Sequence, residues 1–413
     1  MAPLTLALSC GSEPNGPGNA GRWVQVVTGG WHTCALTGAG LVYCWGKNAS
    51  GQLGDGSSTD RAAPVVAATS INFHSLVAGL EHTCGLTTGG AASCWGSNSG
   101  GQLGDGSTAD RWTPAAVAGF QRFRSLTAGS SHTCGLTDTG TVFCWGSNHY
   151  GQLGDGSTAN RTAITSVGGG LTFKGVVAGE SHTCGLTDAG TVYCWGGNSR
   201  GQLGDGTTTD HSTPVLVAGN VTFQSVSAGG SSTCGLAVSG VAYCWGYNPD
   251  GQLGDGSTTN RATPTAVAGG RAFRSVTVGS AHTCGVTAAG FAFCWGFGVI
   301  GDGTDTSRIV PTAVVGGLAF DSVAAGGYHS CGLTGSGDVY CWGANGNGQL
   351  GVGSGLANYV DYYRPGPVSG GLTFAMLTSG SSHTCGLTSA GAAYCWGPNG
   401  SGALGDGSTT SRM

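Results

Sequence analysis

Short apolar runs, each bounded by Gly, Asn, Asp, Ser or Thr, follow one another along the whole chain. Within the runs apolar and polar positions alternate in the manner of β-strands closed by turns, and no stretch has the spacing of an amphipathic helix. Four runs recur in fixed order. Starting at Phe123 they read F-R-S-L-T-A, then H-T-C-G-L-T from His132 and V-F-C-W-G from Val142. A T-P-x-x-V stretch completes the set, as at Thr213, Pro214 and Val217. The cysteines give the period. Eight pairs, all ten residues apart, begin at Cys34, Cys84, Cys134, Cys184, Cys234, Cys284, Cys331 and Cys385. Four short strands in about 50 residues, repeated, predict an all-β chain folded as a β-propeller. Eight hairpin repeats leave seven or eight blades open. The repeat makes residues 22–413 one domain. Residues 1–21 stand outside it, as a signal- or lipoprotein-like remnant or as a closing strand followed by a tether.

The unit H-T-C-G-L-T-x-x-G-x-V-Y-C-W-G-x-N-x-x-G-Q-L-G-D-G-S-T-x-x-R-x-T-P resembles the repeat of the regulator of chromosome condensation family. The resemblance covers nearly the whole chain and implies a propeller around a central axis, commonly of seven blades. It also implies a binding protein: that family includes a nucleotide exchange factor for a nuclear GTPase and a secreted inhibitor of β-lactamase. Cysteines at both hairpin positions are not a general feature of the family.

With Ala39 as the centre of the hairpin turn, Cys34 faces Cys44 and Leu36 faces Val42. Opposed residues of an antiparallel pair approach to about 4.5 Å between Cα atoms, near the short end of disulfide geometry. The economical expectation is a cross-strand disulfide in every repeat, Cys34–Cys44, Cys84–Cys94, Cys134–Cys144, Cys184–Cys194, Cys234–Cys244, Cys284–Cys294, Cys331–Cys341 and Cys385–Cys395. Buried free thiols or bridges between neighbouring blades are the alternatives. Disulfides in such number point to an oxidising compartment and so to an exported protein, at the cell surface or outside the cell. Pro3-Leu4-Thr5-Leu6-Ala7-Leu8-Ser9-Cys10 resembles the end of a bacterial lipoprotein signal, with Cys10 as lipidation candidate, although no basic residue precedes it. Alternatively, Ala2–Ala7 resembles the T-P-x-x-V strand not found after Asp406–Met413. It would then close the ring, or be donated to a second copy to build a filament.

Composition narrows the function. One residue in five is glycine, 83 of 413, and only 8% are charged. Apolar and aromatic content (39% and 8%) argues against disorder. A net charge of −5 with two lysines gives no basic footprint for nucleic acid, and no apolar run is long enough to span a bilayer. The absence of C-x-x-C argues against zinc, and the absence of C-x-x-C-H excludes c-type haem. No cofactor is expected.

The repeated polar residues admit a chemical and a scaffold reading. Asp and Arg six apart, as Asp55 with Arg61, fit an Asx-turn braced by arginine better than a calcium site, which needs six to eight oxygens. His32 and its six equivalents could form a metal or pH-sensing ring, but one imidazole per blade favours hydrogen bonding within the scaffold. Trp45 and its equivalents point away from the cysteine face and are expected between blades rather than in a sugar platform. With three glutamates and no nucleophile motif, the chain is not expected to be an enzyme. Function is sought where a unit departs from the others. Repeat five has Ser231-Ser232 in place of the histidine, and repeat six has lost G-Q-L. Repeat seven has gained a segment containing Tyr359, Asp361, Tyr362, Tyr363 and Arg364, residue types enriched at binding hot spots. The reading is an exported, non-catalytic scaffold for an unknown protein partner. The alternatives are a homopolymer, a glycan binder and a secreted enzyme inhibitor.

Overall fold

The computed structural model describes residues 21–353 and 361–412. The candidates Cys10 and Tyr359 and the proposed closing strand Ala2–Ala7 lie outside the described residues. All regular elements described are β-strands, arranged as seven four-stranded sheets and one three-stranded sheet, each an antiparallel meander. The fold is an eight-bladed propeller, one blade per repeat. In the first blade the strands are Trp23–Thr28, His32–Thr37, Val42–Gly46 and Arg61–Val66. The four runs read from the sequence are these strands.

The first strand of each blade is innermost, and the ends of all eight inner strands line a central channel of about 530 Å³. Antiparallel order sends the inner turn, residues 29–31 in blade one, and the long loop 47–60 to the same end of the ring, here called the mouth face. The hairpin turn near Gly38 and the connection to the next blade emerge at the opposite face. The channel requires glycine where blades converge. A Cβ on Gly29 would collide with the His32 ring and lie 2.8 Å from the carbonyl oxygen of Gly79 in the next blade.

Cys34 pairs with Cys44 and Leu36 with Val42 across the hairpin. All eight hairpins carry the bridge, with Cα atoms 4.1 Å apart. Successive residues of a strand face opposite sides, so each blade turns its disulfide to one neighbour and its tryptophan to the other. Trp95 of blade two packs on Cys34–Cys44, together with Leu36, Leu53 and Phe73. Trp45 of blade one packs on Cys385–Cys395 of blade eight, with Leu387 and Leu404. That contact closes the ring with the same parts that join every other pair of blades. The eight tryptophans that follow the second hairpin cysteine are all buried. Gly54 covers the indole of Trp95 at φ +71°, where a Cβ would lie 2.9 Å from the ring.

The outer strand pairs only loosely with the third. Tyr43 faces Val66 and Cys44 faces Val65, then a register shift precedes Gly46–Arg61. Pro64 falls inside that shift, as Pro114 does in the next blade. Proline is tolerated at an edge or bulge, where it blunts the sheet's outer hydrogen-bonding row. Among the described residues blade eight has three strands, and Gly397 and Arg412 exchange both backbone hydrogen bonds at 3.0 Å, at the place where Gly46 meets Arg61.

Replacing Trp95 with Ala is expected to cost about 3–5 kcal/mol, and removing Cys34 and Cys44 together about 3 kcal/mol. Both losses should centre on the seam between blades one and two. Denaturant unfolding with amide exchange checks this, and unchanged protection at that seam would refute it.

Candidate functional site

The repeated histidines form a circuit between blades. His32 Nε2 lies 2.9 Å from Thr83 Oγ1 of the next blade, and His82 repeats the contact with Thr133 at 3.0 Å. His132 and His182 do the same with Thr183 and Thr233. His282 meets Ser330, His329 meets Thr384, and His383 meets Thr33 across the closure. Thr83 Oγ1 itself donates to the Gln52 carbonyl oxygen at 3.0 Å. Its hydroxyl proton is therefore spent, and His32 must donate from Nε2–H. The imidazoles are neutral. Burial holds His132 and His329 at about 3, and His82, His182, His282 and His383 at about 4. His32 is likewise pushed by burial to about 3. They are scaffold groups.

Blade five breaks the circuit, because Ser232 stands where the imidazole would be. The space is filled from the next blade. A Cβ on Gly229 would meet Val278 Cγ1 at 2.6 Å, where the other blades mostly place their own histidine ring. The Ser231-Ser232 departure is thus matched by valine at a position that is Ala78, Ala128 or Ala178 elsewhere.

In the long mouth-face loop the organiser is an asparagine that the sequence reading did not single out. Asn48 is fully buried. Its Oδ1 accepts from Leu53 N–H at 3.0 Å. Its Nδ2 donates to Asp55 Oδ1 at 3.1 Å and to the carbonyls of Ser57 and Thr59, both at 3.0 Å. Seven repeats have this Asn, and that regularity was the available signal. Asp55 Oδ1 accepts from Ser57 N–H at 3.0 Å, and Arg61 Nε donates to Oδ2 at 2.7 Å. Burial raises the pKa of Asp55, but the hydrogen bonds from Ser57 and Arg61 outweigh it and leave the carboxyl below its ordinary range. The space a cation would need is filled by amide and guanidinium donors. In repeat six, which has Gly298 instead of Asn, Gly298 N–H is held by Ser307 Oγ at 3.0 Å, and Ile300 takes the buried place of Leu53.

The repeat-seven candidates separate. Asp361 Oδ1 accepts from Asn345 N–H at 3.0 Å, the bond Asp60 makes to Asn48. Tyr362 packs against the core beneath Trp396 with Val352 and Leu372, and burial raises its pKa. Tyr363 and Arg364 remain on the surface at the rim, beside the Gly303 loop of blade six.

Larger departures from the repeat collect around the channel mouth. Position 31 of the unit is Ser, Ala or Glu in six blades but Trp31 and Tyr328 in two, 46% and 59% exposed. Leu80 and Tyr150 on the same face are also exposed. Phe297 stacks edge-on with Tyr328 at 5.6 Å, and Arg200 lies over Tyr247 at 5.2 Å. Lys47 and Glu81 bridge blades one and two at 2.6 Å. Leu80, Glu180 and Tyr247 reach the channel itself. Aromatic rings beside half-exposed charges suit binding of another macromolecule.

Residues 10–276 and 172–413 match the RCC1-like domain family. Among solved structures, human WBSCR16 is similar at a TM-score of 0.69 and 23% identity, over 84% of this chain and 99% of its own. Yeast RCC1 (Prp20), in the structure of Kap60 bound to it, gives 0.62 and 25%, over 73% of this chain and 77% of that one. Prp20p of Saccharomyces cerevisiae alone gives 0.62 and 24%, over 78% and 90%.

The histidine circuit predicts an acid-sensitive fold. A free imidazole titrates at 6.5, whereas the buried ones titrate at about 4 or below. Between those values only the unfolded chain gains the proton, so stability falls as pH drops from about 6.5 towards 4. The slope is at most about 1.4 kcal/mol per pH unit for each histidine. Melting temperature against pH should show this, with a shallower slope for His182→Gln. A profile flat from pH 7 to 4 would contradict it.

Proposed function

We propose that this chain, which belongs to the family of RCC1-like domains, is a protein-binding propeller of an oxidising compartment that holds its partner on the mouth face. The observation carrying this reading is where the repeat is broken. Inner turns and long loops that are otherwise small and polar bear Trp31, Leu80, Tyr150, Phe297 and Tyr328, all substantially exposed, on a frame that Asn48 and its equivalents hold rigid. Burying such anchors against a partner is the usual source of interface energy.

A protein partner accords with the structure of Kap60 bound to yeast RCC1 (Prp20). Export is supported by the eight disulfides, all enclosed between blades, since cytosolic thiols are kept reduced. A non-catalytic role is supported by the state of the repeated polar groups. Seven imidazoles are buried and neutral, and six carboxylates of the long loops are engaged by arginine. Acid–base catalysis needs such a group free to exchange a proton with substrate.

Alkylation of the unreduced protein after denaturation should label none of the sixteen paired cysteines. Capture from the native envelope or medium should yield a protein whose retention is lost with Trp31→Ala/Tyr328→Ala and kept with Phe120→Ala/Val238→Ala on the opposite face. Free thiols in secreted material would remove the compartment assignment. Equal retention by both variants would remove the surface assignment.

A further inference from the structure

The two faces of the ring differ in charge as well as in shape. On the mouth face each Asp–Arg pair of the long loops is internally neutral. Outside those pairs, the basic residues there are Lys47, Arg200 and Arg364. Lys47 is paired with Glu81, and Arg200 is laid over Tyr247. The acids are more numerous. Asp60, Asp110, Asp210 and Asp361 recur at the loop end, each exposed and each accepting one backbone N–H. Glu180 stands at the channel, Asp250 in the long loop of blade five and Asp305 in the shortened loop of blade six. Asp205 faces His211 at 2.9 Å instead of an arginine. The opposite face has the reverse balance, with Arg22, Arg122, Arg124, Lys174, Arg271 and Arg274 against Asp138, Asp188, Asp321 and Asp338. The net charge of −5 is therefore unevenly placed. The acidic side carries Trp31, Tyr150, Phe297 and Tyr328, whereas the exposed aromatics of the opposite, net basic side are Phe120 and Phe291.

We infer that the partner presents a basic segment, lysines or arginines interspersed with apolar side chains, to the mouth face. This rests on the mouth face being the binding surface. Arg200 already shows how a cation sits on Tyr247, and a guanidinium or ammonium over Tyr328 or Trp31 would make the same contact. Glu180 stands over the channel edge, its Oε2 3.7 Å from where a Cβ of Gly230 would be. Its side chain is exposed. Complementary fields of this kind chiefly steer the encounter and exclude partners of the wrong sign. The opposite face, with its arginines, would repel the same segment.

The test uses two synthetic peptides, one alternating lysine with leucine and tyrosine, the other with glutamate in place of lysine. The intact oxidised protein should bind the lysine peptide about tenfold more tightly or better, and added salt should weaken that binding. Glu180→Gln/Asp250→Asn should weaken it several-fold, whereas Asp138→Asn/Asp188→Asn on the opposite face should leave it unchanged. Equal binding of both peptides, or equal effects of the two charge variants, overturns the inference. The two readings fail separately. If a native partner depends on Trp31 and Tyr328 but the lysine peptide does not bind, only the basic-segment assignment falls. If the native partner ignores both aromatics, the mouth face itself is wrong.

Discussion

Everything in this propeller depends on an indole lying against the disulfide of the preceding blade. A twisted four-stranded sheet of this size has two apolar faces and cannot bury either alone. Here the faces are made unlike, one carrying the flat, rigid Cys–Cys bridge and the other the tryptophan, so that each fits only the next blade's opposite face. Trp95 on Cys34–Cys44 and Trp45 on Cys385–Cys395 are the same contact. Because the contact is directional, the sheets can only add in one sense around the axis. The ring closes when blade eight meets blade one. Eight small cores result, rather than one large one, which suits a chain whose repeats are built from short strands.

That geometry forces the remaining chemistry. Wedge-shaped blades crowd at the axis, where backbone must approach backbone, and glycine is the residue that permits it. The same crowding buries the imidazole behind each glycine, and burial keeps it neutral. A neutral imidazole must still satisfy its N–H, and the threonine of the next blade accepts it while donating to the Gln52-type carbonyl. Glycine, histidine, threonine and glutamine are thus linked by one requirement. Where the histidine is absent, at Ser232, the requirement becomes purely steric, and Val278 meets it.

The sequence made the strand order, the hairpin register and the pairing of cysteines legible, because each is a local property repeated eight times. Cys34 opposite Cys44 follows from the turn at Ala39 without any knowledge of the ring. The number of blades was not legible in the same way, since closure depends on the angle between packed faces. The roles of Asn48 and Asp361 were also missed. Asn48 acts through hydrogen bonds across its own loop to residues up to eleven positions away, and no spacing rule marks that. Tyr362 illustrates the opposite error. Its composition suggested a surface anchor, but it begins the outer strand at the register of Arg61 and turns inward to the core under Trp396.

A binding surface on such a molecule must be sought among positions the wedge does not constrain. The hairpin cysteines, the tryptophan, the channel glycines and the loop asparagine are tied to neighbours on every side, so their uniformity carries no functional information. Position 31, at the tip of each inner turn, touches no neighbouring core and tolerates anything from serine to tryptophan. Freedom to vary does not by itself make a site, because fold and function are separable. Both faces expose apolar side chains, among them Phe120, Val238 and Phe291 on the opposite one, and what distinguishes the mouth face is their combination with an excess of acids. Trp31, Leu80, Tyr150, Phe297 and Tyr328 each expose apolar surface that serine would not, and they do so at the end of the ring where carboxylates outnumber cations. Apart from the contact between Phe297 and Tyr328, these exposed rings and the uncompensated acids beside them leave apolar surface and charge unmatched within the propeller. The proposed basic partner would cover the one and neutralise the other.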